Sequence, residues 1–226
     1  MVFCAGCRLL VKKGALLAMG LSLVLASYAL AEGLEITGNV LNWVETQFGM
    51  AARGRVRDLE KILSNNKALE EYAKLSLVND FFNQIPYDSD WDLWGKEDYW
   101  ATPIEVLGIR GADCEDYAIA KYFSLRQLGV PAERLRITYV KAIELNQAHM
   151  VLAYYPQAEA EPLILDNLVA QIRLAGERKD LVPVYGFNGE SLWLAANKGQ
   201  GSKVGGSSRI KRWNDLRAKM AGELAR

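Results

Sequence analysis

One histidine and three cysteines occur in 226 residues, and two of the cysteines, Cys4 and Cys7, fall near the start. The chain has no net charge, with 27 Lys and Arg against 27 Asp and Glu, so it lacks the basic surplus of a general nucleic-acid binder. Long apolar runs are also missing. The run over residues 15–26 is short for a membrane span, and no second span follows it. There is no internal repeat, and the one low-complexity stretch is 198–208 (KGQGSKVGGSS), which its Gly/Ser content predicts to be flexible.

What is present at the N-terminus reads as an export signal. Arg8, Lys12 and Lys13 precede the apolar run, and Ala29-Leu30-Ala31 supplies a small-x-small cleavage site, so residues 1–31 are expected to be a cleavable signal peptide. An uncleaved anchor is the alternative reading. No cysteine follows the run at a lipoprotein position. Cleavage removes the Cys4/Cys7 pair and three basic residues, leaving a weakly acidic chain with one cysteine, Cys114, and one histidine, His149. No disulfide can then form within the mature chain. A lone thiol in an exported protein is a reactive liability, which favours a chemical role over simple burial.

The first half of the mature chain has helical periodicity. Candidate helices cover 40–48, 56–63 and 67–85, the last ended by Pro86. Residues 87–103 (YDSDWDLWGKEDYWATP) show no period and read as a loop whose Trp91, Trp94 and Trp100 complete the core or wall a cleft. Its Asp88, Asp90 and Asp92 alternate like calcium-loop acids but lack the glycine and terminal glutamate of an EF-hand. A further helix begins at Cys114, with Ala118, Ile119, Tyr122, Leu125 and Leu128 as its apolar stripe and Gly129 and Pro131 as its stop. The pattern then alternates: 135–142, 147–155 and 162–168 are strand candidates joined by short connections, with 181–185 and 191–195 as possible edge strands. A last amphipathic helix, 210–224, carries Trp213, Leu216 and Met220. The class is α+β: an N-terminal helical lobe and an antiparallel sheet.

Three residues stand where acyl-transfer chemistry needs them. Cys114 lies at the start of a helix, where the dipole favours a thiolate. His149 is near the start of the middle strand and Asp166 near the end of the next, ends that an antiparallel pair brings together. Taken singly, each has an ordinary explanation: a small buried residue, a core histidine, a turn aspartate. Taken together they are a nucleophile, a base and an orienting carboxylate. The Cys114 backbone N–H is a natural oxyanion donor.

The run Gly111-Ala112-Asp113-Cys114-Glu115-Asp116-Tyr117-Ala118-Ile119-Ala120-Lys121-Tyr122, the later His149 and Asp166, and Asp98–Leu107 (DYWATPIEVL) resemble the bacterial transglutaminase-like cysteine proteinases over about residues 85–170. The resemblance implies a papain-like/transglutaminase-core fold with Cys114 as nucleophile, His149 as base and Asp166 as orienter. A protease domain is expected over 32–197, followed by the flexible segment 198–208 and the helix within 209–226. It also implies calcium (Ca2+) dependence through the acids flanking the cysteine, Asp113 and Glu115, with Asp116 as a third. Three carboxylates beside a thiolate would raise its pKa, and a bound cation would cancel that charge. The same acids also suit a helix N-terminus, and three side chains are too few for 6–8 oxygen ligands. Periplasmic location, cleavage of the N-terminal region of a large surface adhesin near an Ala-Ala pair, dispersal of biofilm, and sequestration by an inner-membrane cyclic di-GMP receptor are further expectations from the resemblance. Thioester transfer to an amine, or binding without turnover, are the competing functions.

Overall fold

Caps and breakers divide the N-terminal half as the periodicity indicates. Thr37 caps α1 (Gly38–Phe48), its hydroxyl accepting the Val40 N–H at 3.3 Å. Gly49, at φ 87°, then turns the chain directly into α2 (Met50–Asn65). α3 (Glu71–Phe82) follows. Val40 and Val44, then Ala52, Val56, Leu59 and Leu63, then Leu75, Val78 and Phe82 form the buried faces at helical spacing. The described residues of this computed structural model are 34–194 and 201–226. The expected signal segment lies outside them.

The stretch expected to be a loop holds two short helices. α4 (Asp90–Trp94) is capped by Ser89, and α5 (Pro103–Ile109) opens with a Thr102/Glu105 capping box and a proline in its first turn. At five and seven residues they are too short to display a period. Of the three tryptophans, Trp100 is buried and stacks on Phe187, Trp94 packs on Tyr99, and Trp91 stays 65% exposed.

α6 (Cys114–Gln127) is the central helix, and every residue from Asp116 to Leu125 is buried. It packs on α3 and α5 on one side and on β1 (Leu135–Ala142) and β2 (Gln147–Tyr154) on the other. The expected one-sided stripe therefore understates its burial. Gly129, at φ 88°, ends it. The sheet continues through β3 (Leu163–Leu165), β4 (Arg173–Leu174), β5 (Leu181–Phe187), β6 (Ser191–Leu194) and β7 (Ser202–Gly206), all antiparallel, in the order β4-β3-β2-β1-β5-β6-β7. Helices cover one face, and a smaller apolar cluster of Val140, Val151, Ala153, Tyr155 and Ile164 lies apart from the main core.

The expectation of a flexible segment over 198–208 is corrected for its described part. Residues 202–206 pair with β6 as an edge strand, because backbone hydrogen bonds to a neighbour do not depend on side-chain type. The C-terminal helix, α7 (Lys211–Leu224), docks on the domain. Trp213 is fully buried, stacked on Phe123 at 5.3 Å and edge-on to Tyr122 and Phe187. Lys219 Nζ donates to Tyr99 Oη, the Trp100 carbonyl and Glu105 at 2.7, 3.0 and 2.6 Å. No helix among the described residues is long and apolar enough to cross a membrane.

Candidate active site

Asp113 takes the extended N-cap conformation before α6, so Cys114 is the first helical residue and its N–H has no acceptor within the helix. Packing of α6 on β2 sets the thiol against that strand: Cys114 Sγ accepts the backbone N–H of Met150, the residue after His149. His149 Nε2 lies 2.8 Å from Asp166 Oδ1, and both side chains are 2% exposed or less. The chain leaves the β3 ladder at Leu165, and this departure turns the Asp166 carboxylate toward β2. With Nε2 bound to the carboxylate, Nδ1 is the nitrogen left for proton transfer. Of the three residues expected to act together, His149 and Asp166 are paired directly, and Cys114 lies against Met150, the neighbour of His149 on β2.

Asp166 is held from several sides. Its Oδ1 also accepts the Leu168 N–H at 3.1 Å. Its Oδ2 pairs with Arg178 Nη2 at 2.7 Å. Its carbonyl accepts from Asn83 Nδ2 and Lys121 Nζ at 2.9 and 3.1 Å. Burial raises the Asp166 pKa, but His149 and Arg178 outweigh it and hold the group below the ordinary carboxylate value. Lys121 is fully buried and also reaches Asn79 and Asn83. Burial pulls its ammonium down to about 7 against the opposing charge of Asp166.

The thiol departs from the dipole expectation. Cys114 Sγ donates to Glu115 Oε2 at 3.1 Å. Burial first, and then the charge and hydrogen bond of Glu115 and the charge of Asp113, push its pKa well above the ordinary thiol value. Carboxylates and desolvation outweigh the half-charge of a helix N-terminus.

Those carboxylates form a donor set. Oxygen atoms of Asp90, Asp113 and Glu115 lie within 4.8 Å of one another. Asp90 is placed there by the tie between the two loops, a Tyr87–Ala112 bridge and the Asp88 N–H donated to the Ala112 carbonyl at 3.0 Å. Burial, then Glu115, Asp116 and Asp90, push Asp113 up to about 10. Burial and the charges of Glu115 and Asp98 push Asp90 up to about 6, against the hydrogen bond from the Tyr99 N–H. Asp90 Oδ1 and Asp113 Oδ1 are buried without a hydrogen-bond partner. Crowded, protonation-prone, partnerless oxygens suit a hard cation such as calcium.

Asp116, expected as a third ligand, stands outside this group: its Oδ1 accepts the Ala101 N–H at 2.7 Å, fastening α6 to the start of α5, and its Oδ2 is buried without a hydrogen-bond partner. One position along a helix turns a side chain by about 100°, which takes Asp116 away from the side that Glu115 faces. Asp90, Arg178 and Lys121 were not singled out as site residues from the sequence. Only Asp90 had a signal, its place in the alternating acids of 87–103.

The family model for the bacterial transglutaminase-like cysteine proteinases (BTLCP) matches residues 41–179. Solved structures of LapG from Legionella pneumophila are 40% identical to this chain. The EGTA-treated form has a TM-score of 0.74 and covers 83% of this chain and 99% of its own. The calcium-bound form has a TM-score of 0.70 and covers 82% and 99%. No curated protein matches.

Proposed function

Since the chain belongs to the bacterial transglutaminase-like cysteine proteinases, we propose that it is a calcium-dependent endopeptidase whose triad is Cys114, His149 and Asp166. The observation that carries this reading is the buried His149–Asp166 pair next to the strand residue that binds the Cys114 sulfur. Cys114 gives its proton up toward His149 and attacks the peptide carbonyl carbon. The carbonyl oxygen takes the negative charge, and the Cys114 N–H donates to it. The C–N bond breaks as the His149 imidazolium gives its proton to the leaving amine. A water then loses a proton to His149 and attacks the thioester, which releases the acid and regenerates the thiolate. Asp166, kept ionised, fixes the imidazole tautomer and stabilises the imidazolium.

Asp90, Asp113 and Glu115 would hold the calcium ion, with further oxygens completing its shell. The ion supplies positive charge beside the thiol. The Glu115 carboxylate, engaged elsewhere, would then no longer hold the Cys114 proton. The calcium-bound and EGTA-treated forms of the Legionella protein support this part of the reading.

The substrate we propose is the N-terminal region of a large surface adhesin, cut near an Ala-Ala pair so that the adhesin is released and biofilm disperses. The proposed location is the periplasm, reached through the signal at 1–31, and the proposed inhibitor is an inner-membrane cyclic di-GMP receptor. Family membership and likeness to LapG support these assignments. The test is cleavage of a purified adhesin N-terminal fragment in calcium and in EGTA, beside Cys114→Ala. Cutting in calcium that stops in EGTA and in the variant is expected. Cutting that survives in EGTA would remove calcium from the proposal, and cutting by Cys114→Ala would remove the triad.

A further inference from the structure

We propose that Arg178 is a positioning residue for the reaction: it holds the Asp166 carboxylate ionised and aimed at His149. The inference rests on the proposed protease reading. The two oxygens of one carboxylate are divided, Oδ1 to His149 Nε2 at 2.8 Å and Oδ2 to Arg178 Nη2 at 2.7 Å. The guanidinium is 3% exposed, and among the described residues no Lys or other Arg pairs with the Asp166 side-chain oxygens; the Lys121 ammonium binds the backbone carbonyl instead. Arg178 is itself fixed by Asp180, which accepts from Nε and Nη2 at 2.9 and 2.7 Å. The fork is therefore oriented before Asp166 meets it.

The chemistry explains why a cation belongs there. An orienting carboxylate must stay ionised while the imidazole beside it gains and loses a proton. Burial alone would push Asp166 toward its protonated form, which accepts more weakly from Nε2 and carries no charge to stabilise an imidazolium. Arg178 opposes this from the oxygen that His149 does not use. It reaches Asp166 from the strand-flanking turn after Ala175–Glu177, and it also lines a groove of about 730 Å³ with Val140, Val151, Ala153, Ile164 and Trp193. Its Nη1 is buried without a hydrogen-bond partner.

The experiment compares wild type, Arg178→Gln and Arg178→Lys in saturating calcium, with kcat and KM for the adhesin fragment measured across pH. Arg178→Gln is expected to lower kcat by about 10–100-fold, as for groups that orient a reacting side chain from behind, with KM unchanged. It is also expected to move the acid limb of kcat upward by about 1–3 pH units, because Asp166 then takes its proton sooner. Arg178→Lys is expected to return the limb toward wild type. If Arg178→Gln does not fold, Arg178→Ala with guanidinium added carries the same test, with recovery of kcat expected. A wild-type limb in Arg178→Gln, or a lower kcat with an unmoved limb and no recovery in Arg178→Lys, would overturn the proposal. Should wild type cut nothing, the proposed substrate fails, and the Nε2–H proton resonance of His149, the only histidine in the sequence, still reads the inference. Loss of that signal at higher pH in Arg178→Gln than in wild type supports it, and identical behaviour overturns it.

Discussion

Replacing Asp90 by Asn separates a cation site from a set of helix-capping acids, because the two readings predict opposite signs. Asn is nearly isosteric and keeps an oxygen for the Tyr99 N–H that Asp90 accepts. What it removes is one of three ionisable carboxyls whose oxygens lie within 4.8 Å. Two full charges at that separation repel by about 3.5 kcal/mol at an effective dielectric of 20. Partial protonation and solvent at the open side reduce this to on the order of 1–2 kcal/mol. For a domain of this size, that is a rise in Tm of about 2–8 °C. In EGTA, Asp90→Asn should therefore melt higher than wild type. In calcium the order should reverse. Ligand at a hundred times Kd stabilises wild type by about 2.7 kcal/mol, and the variant, with one charge fewer, should need about tenfold more calcium for the same gain. Differential scanning fluorimetry across a calcium series reads both arms. A variant that melts lower in EGTA and keeps the wild-type calcium midpoint would refute the argument and leave Asp90 as a structural cap.

The other predictions concern the frame around the proposed triad. Trp213→Ala empties the space between Phe123, Tyr122 and Phe187 and should cost about 3–5 kcal/mol by chemical denaturation. A cost under 1 kcal/mol would mean that α7 is not docked in solution. Lys121 is depressed to about 7 in the folded state, which therefore binds fewer protons on this group than the unfolded chain between about pH 7 and 10. Its contribution makes stability rise with pH in that window, and Lys121→Met should flatten the slope measured by urea melts. Asp166 runs the other way: its folded pKa is lowered, so the stability it adds is present above its ordinary value and is lost as pH falls through the folded value. Asp166→Asn should remove that acid loss along with activity, and an unchanged acid midpoint would contradict the buried-pair account. Asp116→Ala leaves the Ala101 N–H without its acceptor and should lower stability by about 1–3 kcal/mol while calcium still binds. A lost calcium response would restore Asp116 to the ligand set.

What could be read from the sequence followed from periodicity and from residue scarcity. His149 lies on β2 and Asp166 directly after β3, within the segments read as strands, and one cysteine and one histidine outside the first 31 residues leave few ways to build a triad. The acids were harder. Glu115 and Asp116 are adjacent in sequence and chemically alike, yet one faces the thiol and the other fastens α6 to α5. Helix phase could have separated them once Cys114 was taken as the first helical residue. Asp90 was missed for a different reason: its contribution depends on the loop-to-loop tie through Tyr87 and Ala112, a long-range contact with no local pattern. Arg178 likewise gives no signal, because a surface arginine and one buried between two aspartates look identical in sequence.

The thiol shows why local rules alone could not rank these effects. A helix N-terminus offers about half a unit of positive charge and is screened by solvent. Against it stand burial and two flanking acids, and the acids win, leaving the Cys114 proton on its sulfur and shared with Glu115. The same sequence feature, acids on both sides of the cysteine, therefore disfavours the Cys114 thiolate and supplies the oxygens that would bind a cation. Neutralising Glu115 alone separates the two roles. Glu115→Gln should speed iodoacetamide labelling of Cys114 in EGTA, because the charge opposing the thiolate is gone, and should weaken the effect of calcium on that rate. Labelling in EGTA that stays as slow as in wild type would mean that burial, rather than Glu115, holds the proton.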